Sequence, residues 1–274
     1  MVERPPTLSK KDFELFKAYI YEHVGISLGD HKIYLVQARL GKRLKSLGMN
    51  SYHDYYLLLA NDKSGVELEY LCSLISTNVT SFFREAKQWE FWKEHMKEMV
   101  DMQKKSLRIW SAACSSGEEP YSIAMFLEEH LKPIASIDTK ILATDVSPKI
   151  LTEAMRGSYH PKVAETLPRI YLAKYFEEQH DGRLHIKQGI KQSVLFRAFN
   201  LVTGDFGLFK QKQFDIIFCR NVMIYFDKPT QQTLVEHFHR LLRPGGYLFI
   251  GSSEALTDSG KGFRSQSASI YKKV

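Results

Sequence analysis

The feature that most constrains the fold is an alternation, after about residue 106, between short apolar runs and helical patterns. The apolar runs, which predict strands, cover residues 107–110, 139–146, 214–221 and 247–251. The helical patterns between them cover residues 121–131, 147–157 and 231–242. Apolar runs without polar alternation are typical of strands buried on both faces. The sequence therefore predicts an α/β fold with a doubly wound, mostly parallel sheet covered by helices.

The first 76 residues have a different pattern, which predicts a small all-helical N-terminal domain. Phe13, Phe16, Ile20 and Val24 recur at helical spacing and are followed by Gly25, a helix stop signal. Three further helical patterns cover residues 31–48, 51–62 and 66–76. We expect residues 77–92 to link this domain to a larger one over residues 93–274.

One stretch interrupts the strand and helix alternation of the larger domain. A helical pattern over residues 168–179 is followed by Asp181 and Gly182, with apolar runs over residues 184–190 and 193–199 nearby. Asp-Gly beside strand-forming runs is a hairpin signal. We interpret the stretch as a small antiparallel β insertion near residues 158–195. Pro148 after Ser147, in contrast, predicts an ordinary helix start in the alternating part.

Composition restricts the class of protein. The 274 residues are 44% apolar and 25% charged, which is ordinary for a globular protein. The first residues lack an apolar stretch typical of a signal peptide, and no segment has the length of a membrane span. We therefore expect a cytoplasmic protein without membrane insertion. Cys72, Cys114 and Cys219 are too widely spaced to predict a zinc site, and we expect neither a metal nor disulfides.

The net charge of +7 is distributed unevenly, with a basic cluster on one predicted helix over residues 31–48. This stretch contains no acidic residue after position 31, and its apolar residues recur at helical spacing. The basic residues are Lys32, Arg39, Lys42, Arg43 and Lys45. Such a face is either simply solvated or a docking surface for nucleic acid or an acidic protein helix.

The loop that follows the first predicted strand, residues 110–121, reads WSAACSSGEEPY. A strand-to-helix loop that holds phosphate usually carries several glycines and a lysine. This loop has one glycine, no lysine and two adjacent carboxylates, Glu118 and Glu119. Negative charge repels phosphate, and the dinucleotide glycine pattern is missing, so the sequence disfavours NAD.

Three further predicted strands also end in polar residues. Asp145 follows the second strand, Asn200 follows a strand near residue 195, and Arg220 with Asn221 follows the strand over residues 214–219. Ligands of doubly wound sheets bind outside the carboxyl ends of the strands. An acidic residue in the position of Asp145 accepts hydrogen bonds from ribose hydroxyls, or it simply caps the next helix. A positively charged nucleoside such as S-adenosylmethionine suits this acidic edge.

Five segments, in this order, resemble the chemotaxis receptor methyltransferase family, CheR. They read ISTNVTSFFRE, SAACSSGEEPYS, ILATDVSP, FDIIFCRNVMIYF and LLRPGGYLFIGSSE. The resemblance covers nearly the whole chain, and TNVTSFFRE with CRNVMIYF is its most specific part. It implies a class I S-adenosylmethionine-dependent methyltransferase fold. It also implies that glutamate side chains of bacterial chemoreceptors are converted to methyl esters in chemotaxis adaptation.

The resemblance also implies roles for individual residues. The S-adenosylmethionine contacts would be Asn78, Thr80, Arg84, Glu118, Asp145, Asn200, Leu201, Arg220 and Asn221. Arg84 and Tyr225 would lie closest to the transferred methyl group. Without the resemblance, a surface ion pair with Glu85 or another carboxylate would explain Arg84, and core packing would explain Tyr225 and Phe226.

The implied partner is the helical cytoplasmic domain of methyl-accepting chemoreceptors, on which the basic helix would dock. The short turn EEQHDGRL in the β insertion favours an enzyme that does not require a receptor C-terminal pentapeptide as a tether. We expect a monomer that does not bind nucleic acid. Two alternatives stay open at the sequence level, an RNA methyltransferase and a non-catalytic adaptor that senses S-adenosylmethionine.

Overall fold

The computed structural model describes residues 6–75, 78–100, 106–209, 214–256 and 262–274. Its contacts divide the chain into two compact units. The smaller unit, called the helical unit below, comprises Met1–Thr77 with Tyr225–Asp227. The larger unit, called the sheet unit, comprises Asn78–Ile224 with Lys228–Val274.

The helical unit contains the four helices that the sequence predicts. They are α1 (Lys10–Val24), α2 (Ile33–Leu47), α3 (Tyr52–Asn61) and α4 (Val66–Ile75). The side chain of Ser9 accepts a hydrogen bond from the backbone N–H of Asp12 and caps α1. Gly25 ends this helix with a left-handed φ of 77°. The apolar stripe of α1, which includes Phe16 and Ile20, is fully buried.

The sheet unit alternates strands and helices as predicted. Its elements up to the insertion are α5 (Ala86–Glu94), α6 (Met96–Met99), β1 (Ser106–Ala112), α7 (Glu118–His130), β2 (Asp138–Asp145) and α8 (Pro148–Arg156). The sequence over residues 87–103 has a helical pattern, which corresponds to α5 and α6, and its last residues, 101–103, lie outside the described residues. Ser147 caps α8 through a hydrogen bond from the backbone N–H of Ile150, and Pro148 occupies the first turn, as predicted.

The insertion contains β3 (Ser158–Tyr159), α9 (Arg169–Tyr175), β4 (Phe176–Glu178), β5 (Leu184–Ile186) and α10 (Gln188–Lys191). Among the described residues, β3, β5 and β4 form a three-stranded antiparallel sheet in that order. The predicted turn at Asp181 joins β4 to β5. The run over residues 193–199 is not part of this hairpin, because it forms β6 (Val194–Ala198) of the main sheet. β6 is an edge strand of that sheet, and its apolar residues Val194 and Phe196 are buried, whereas Leu195 is exposed.

The remaining elements are β7 (Phe214–Cys219), α11 (Lys228–Leu241), β8 (Leu242–Ile250), β9 (Phe263–Ser267) and β10 (Ile270–Lys273). The sequence prediction that β8 is the final strand is wrong. β10 pairs antiparallel with β8, and β9 with β10. The mostly exposed residues of β9 give no apolar run, so this edge strand was missed. The RPGG segment, residues 243–246, lies between Leu242, the register partner of Phe214, and Tyr247, the partner of Ile216, so the register between β7 and β8 shifts at this segment.

Among the described residues, the main sheet has seven strands in the order β6-β2-β1-β7-β8-β10-β9. The first five strands are parallel, and β1 pairs with both β2 and β7. The chain builds outward from β1 through β2 on one side and from β7 through β8 on the other. The order therefore reverses between β1 and β7, and ligands of such sheets bind at this switch point.

No helix among the described residues is long and apolar enough to cross a membrane.

Candidate active site

The loop between β1 and α7 has an unusual backbone. Ala113 and Ser115 have positive φ values of 68° and 48°, and Gly117 has 96°. Phe83, Glu85 and Asn221 also have left-handed φ values. In the described part of the chain, these five non-glycine residues lie in segments at or near the switch point, and Ser269 is the sixth such residue. Non-glycine residues in this region are strained, and such strain concentrates at functional sites.

Asp145 lies at the end of β2 and is held by the same loop. Its Oδ2 accepts a hydrogen bond from the backbone N–H of Ser115 at 2.9 Å, and its Oδ1 accepts one from Ser147 at 3.1 Å. The side chain is buried, and burial raises the pKa of its carboxyl group, although the two backbone donors act against that shift. Asp145 is therefore fixed in place, and its carboxylate oxygens can still accept further hydrogen bonds at the ends of the strands.

Glu118 begins α7 and is also buried. Its Oε2 accepts a hydrogen bond from the hydroxyl of Ser116 at 2.7 Å. Burial raises the pKa of Glu118. The ion pairs of the described residues include neither Glu118 nor Asp145. The loop between β1 and α7 therefore connects two buried carboxylates without a cationic partner among the described residues: Glu118 follows the loop in sequence, and Asp145 accepts a hydrogen bond from its Ser115.

Glu119, the second carboxylate of the loop, has a different role because it pairs with Arg220 at the end of β7. Nε of Arg220 donates to Oε2 of Glu119 at 2.6 Å, and the hydroxyl of Ser111 donates to Oε1 at 2.6 Å. Nη1 of Arg220 donates to the backbone oxygen of Arg84 at 2.8 Å and to Gln88 at 3.2 Å. The buried guanidinium thus joins β7 to α7 and to the segment before α5.

The other residues predicted to bind S-adenosylmethionine lie in the same unit. The backbone oxygen of Asn78 accepts a hydrogen bond from the hydroxyl of Ser115 at 3.2 Å. Arg84 is partly buried, and its Nη1 donates to the backbone oxygen of Val79 at 2.9 Å. The ion pairs of the described residues do not join Arg84 to Glu85, which is the alternative that the sequence left open. Thr80 is partly buried in this segment.

Asn200 and Leu201 follow β6, the neighbour of β2 in the sheet. Ala198 is the register partner of Asp145, so Asn200 comes two residues after that partner. The side-chain oxygen of Asn200 accepts hydrogen bonds from Val202 and Thr203 and fixes the turn after β6. Leu201 is buried. These contacts agree with a position of both residues at the same edge of the sheet as Asp145.

Tyr225, predicted to lie near the transferred methyl group, belongs to the helical unit by its contacts. Its backbone oxygen accepts a hydrogen bond from Ser27 at 2.8 Å, and its side chain is partly buried. The adjacent Phe226 is buried, as the packing alternative expects. The role of Tyr225 near the methyl group stays a prediction.

The five basic residues predicted to dock a partner have unequal environments within the helical unit. Lys42 and Lys45 on α2 are exposed, and Lys32 is partly exposed. Arg43 pairs with Glu67 on α4 and lies over the ring of Tyr70, 3.7 Å from its centroid. Arg39 donates to the last backbone oxygens of α4, at Leu74 and Ile75. The two arginines therefore stabilise the packing of α2 on α4.

The donor and acceptor set at the strand ends fits S-adenosylmethionine. A carboxylate is an acceptor only, so Asp145 and Glu118 suit the hydroxyl and ammonium donors of a nucleoside amino acid. Their buried negative charges have no cation nearby among the described residues, and a positively charged ligand would supply one. In the described part of the chain, no group of three or more His, Cys, Asp or Glu side chains is arranged to hold a metal ion.

Sequence reasoning missed four polar residues of this site: Glu85, Gln88, Glu119 and Glu254. Glu119 was visible as an acidic residue of the loop, but the sequence did not reveal its pairing with Arg220. Gln88 lies on α5, where polar residues usually face solvent, and Glu85 immediately precedes that helix. Their partners are more than 130 residues away in sequence, so no local signal identified them.

The comparisons with known proteins agree with this geometry. The family model described as "CheR methyltransferase, SAM binding domain" matches residues 78–272, and the one described as "CheR methyltransferase, all-alpha domain" matches residues 11–76. A chemotaxis protein methyltransferase of Borreliella burgdorferi is 36% identical over 91% of this chain and 89% of its own. One of Klebsiella aerogenes is 36% identical over 99% of this chain and 92% of its own.

Among solved structures, the N-methyltransferase NodS of Bradyrhizobium japonicum aligns at a TM-score of 0.37 and 13% identity. That alignment covers 70% of this chain and 99% of NodS, and its score is too low to support an argument.

Proposed function

Because this chain belongs to the CheR methyltransferase family, we propose that it methylates glutamate side chains of bacterial chemoreceptors. The observation that carries the proposal is a couple of buried carboxylates, Asp145 at the end of β2 and Glu118 at the start of α7, which no ion pair of the described residues includes. This couple favours a cationic nucleoside over a phosphate-bearing cofactor. The family supplies the substrate class, a carboxylate on a receptor.

The chemistry of this reaction suits a site without an assigned general base. A glutamate has an ordinary pKa of about 4.3, so it is already ionised near neutral pH. S-adenosylmethionine supplies a sulfonium methyl group, so one carboxylate oxygen gains the methyl carbon while the sulfur keeps the bonding electron pair. No proton moves in this step. The chain therefore has to align the two reactants and exclude water rather than abstract a proton.

Each group of site residues has a part in that alignment. Asp145 and Glu118 accept hydrogen bonds from the nucleoside and amino-acid parts of the cofactor. Arg220 is engaged by Glu119, Gln88 and the backbone of Arg84, and so holds the segments around the site. Arg84 has further N–H groups beyond its bond to Val79, and it orients the carboxylate that receives the methyl group. The proposal keeps Tyr225 as a residue close to the transferred methyl group, as the family resemblance implies.

The proposed partner is a long receptor helix rich in glutamate and glutamine. The exposed Lys42 and Lys45 of α2 would dock on it and increase the encounter rate. The turn between β4 and β5 is short, and hydrogen bonds from Gln179 to Arg183 and from Gly182 to Gln179 close it. On this basis we propose that the enzyme does not require a C-terminal peptide tether on its receptor.

The test uses S-adenosylmethionine with a labelled methyl group, this protein and membranes that contain chemoreceptors. Label released as methanol by mild alkali identifies methyl esters, because methylated nitrogens and ribose ethers are stable to this treatment. We expect base-labile label on the receptor band. Label on RNA, or binding of S-adenosylmethionine without transfer to any receptor, would contradict the proposal. Receptors without their last five residues should be methylated at the same rate.

A further inference from the structure

The carboxylate of Glu254 connects the two loops that follow β7 and β8. Its Oε2 accepts hydrogen bonds from the backbone N–H groups of Gly251 at 2.6 Å and Asn221 at 3.0 Å. Its Oε1 accepts one from Ile224 at 3.2 Å. The residue is buried, and the ion pairs of the described residues do not include it. One side chain thus satisfies three backbone donors from two separate loops.

Asn221 is the residue with a strained backbone among the three that this carboxylate holds. Its φ of 58° lies in the left-handed region, which asparagine tolerates better than most residues but which still costs energy. A second carboxylate, Glu85, lies 3.5 Å from the side-chain nitrogen of Asn221 and also accepts the backbone N–H of Ser252 at 2.9 Å. Asn221 is therefore held through its backbone by Glu254 and through its side chain by Glu85.

Gly251 shows how closely these groups are packed. A Cβ atom on Gly251 would lie 2.6 Å from the side-chain nitrogen of Asn221, 2.8 Å from its backbone nitrogen and 2.8 Å from Oε2 of Glu254. Such distances are below any normal contact, so a side chain at position 251 would displace Asn221 or Glu254. The absence of a side chain at this position permits the three groups to meet.

The energetic cost of burying Glu254 beside a strained backbone indicates that this residue has a role beyond packing. Burial raises the pKa of Glu254, while its backbone donors act in the opposite direction. A buried carboxylate without a cation is costly, and strained backbone persists where the surroundings hold it. Both costs meet at the loop of Asn221, a residue that the resemblance to the CheR family assigns to S-adenosylmethionine binding.

We propose that Glu254 is a positioning residue that fixes Asn221 and the loop behind β7 in its binding conformation before S-adenosylmethionine arrives. The proposal rests on the proposed function and on the contact between Asn221 and this ligand that the family resemblance implies. Glu85 contributes to the same loop from the other side. Preorganisation of this kind avoids an ordering cost on binding and so increases affinity.

The first variant is Glu254→Gln, which keeps one acceptor oxygen but turns an NH₂ group toward a backbone N–H. We expect the Kd for S-adenosylhomocysteine, measured by calorimetry at 25 °C, to rise about tenfold or more, because a buried donor loses its acceptor. We expect the KM for S-adenosylmethionine to rise as well. The matched control is Glu236→Gln on α11, where the side chain is exposed and both constants should stay unchanged. A Kd equal to that of the wild type would overturn the inference.

The second measurement needs no variant and so does not depend on whether Glu254→Gln folds. Amide hydrogen exchange of the wild-type protein is followed with and without S-adenosylhomocysteine. We expect the amides of Asn221, Ile224 and Gly251 to be protected already in the free protein. Unprotected amides that become protected only with the ligand would show that the loop is ordered by binding, and the inference would be wrong.

These measurements separate the inference from the proposed function. If the wild-type protein binds S-adenosylhomocysteine but methylates no receptor, the proposed substrate is wrong, and the binding and exchange data still test Glu254. If the wild type methylates receptors and Glu254→Gln binds and turns over normally, the inference alone fails. Gly251→Ala provides a further check, since it should raise the same Kd without changing any carboxylate.

Discussion

Arg220 donates a hydrogen bond from Nε to Oε2 of Glu119 at 2.6 Å, and both side chains are almost completely buried. This contact ties the end of β7 to the start of α7, on opposite sides of the point where the strand order reverses. The contact explains one of the two adjacent carboxylates in the loop after β1. Glu119 pairs with a cation of the protein itself. No ion pair of the described residues includes Glu118, so its carboxylate is available to a ligand.

Replacement of Arg220 by methionine should destabilise the sheet unit strongly. The change leaves the buried carboxylate of Glu119 without its cation, and breaking such a pair costs about 3 to 5 kcal/mol. Urea denaturation followed by tryptophan fluorescence measures the effect, because Trp89, Trp92 and Trp110 all lie in the sheet unit. The control is Arg108→Met, whose pair with Asp138 is exposed and should change the free energy of unfolding by about 1 kcal/mol or less. Equal losses for the two variants would contradict the assigned role of Arg220.

Replacement of Glu118 by glutamine should stabilise the free protein at neutral pH and weaken ligand binding. Burial raises the folded-state pKa of Glu118, so its contribution to stability is present below the unfolded pKa and is lost as pH rises through the folded value. An amide stays neutral and avoids that loss. The Kd for S-adenosylmethionine should rise about tenfold, because a charged acceptor is lost. The difference between the urea midpoints at pH 5 and pH 8 should be smaller for this variant than for the wild type. An equal difference in the two proteins would contradict the raised pKa of Glu118.

Replacement of Gly117 by alanine should disturb the loop beyond the ordinary cost of a left-handed residue. A Cβ atom at this position would lie 3.0 Å from the hydroxyl of Tyr159 and 3.1 Å from Cβ of Ala154. We expect the free energy of unfolding to fall by about 2 kcal/mol or more, with weaker S-adenosylhomocysteine binding. Gly182→Ala is the control, because Gly182 has a φ of 69° with nothing within 4 Å. It should cost only about 1 kcal/mol, and a similar loss in both variants would indicate that the contacts of Gly117 do not matter.

Charge reversal on α2 should separate docking from folding. Lys42→Glu with Lys45→Glu changes exposed side chains, so we expect a higher KM for receptor and an unchanged Kd for S-adenosylmethionine. The difference from the wild type should shrink as salt screens the surface charges. Arg43→Glu is expected to unfold the helical unit partially instead, because it places two carboxylates together at Glu67. An unchanged receptor KM in the double lysine variant would remove α2 from the docking surface.

The sequence predicted elements whose formation depends on local patterns. The four helices of the helical unit follow from apolar spacing, from the cap at Ser9 and from the stop at Gly25. The strands β1 and β7 follow from unbroken apolar runs, which are typical of strands buried on both faces. The C-terminal hairpin was missed because β9 is an exposed edge strand without an apolar run. The run over residues 193–199 was placed beside the insertion because periodicity identifies a strand but does not identify its partner.

The sequence by itself determined the fold class, the acidic strand-end loop and, through resemblance, the residues expected to bind S-adenosylmethionine. Only the tertiary structure decided which charged groups pair with one another. Glu119 and Arg220 are 101 residues apart, and Glu254 meets Asn221 across 33 residues. Such contacts are set by how strands stack in the sheet rather than by local spacing. Tertiary packing also distinguishes two neighbouring basic residues of α2. Arg43 packs this helix on α4, whereas Lys42, one residue away, is exposed to solvent.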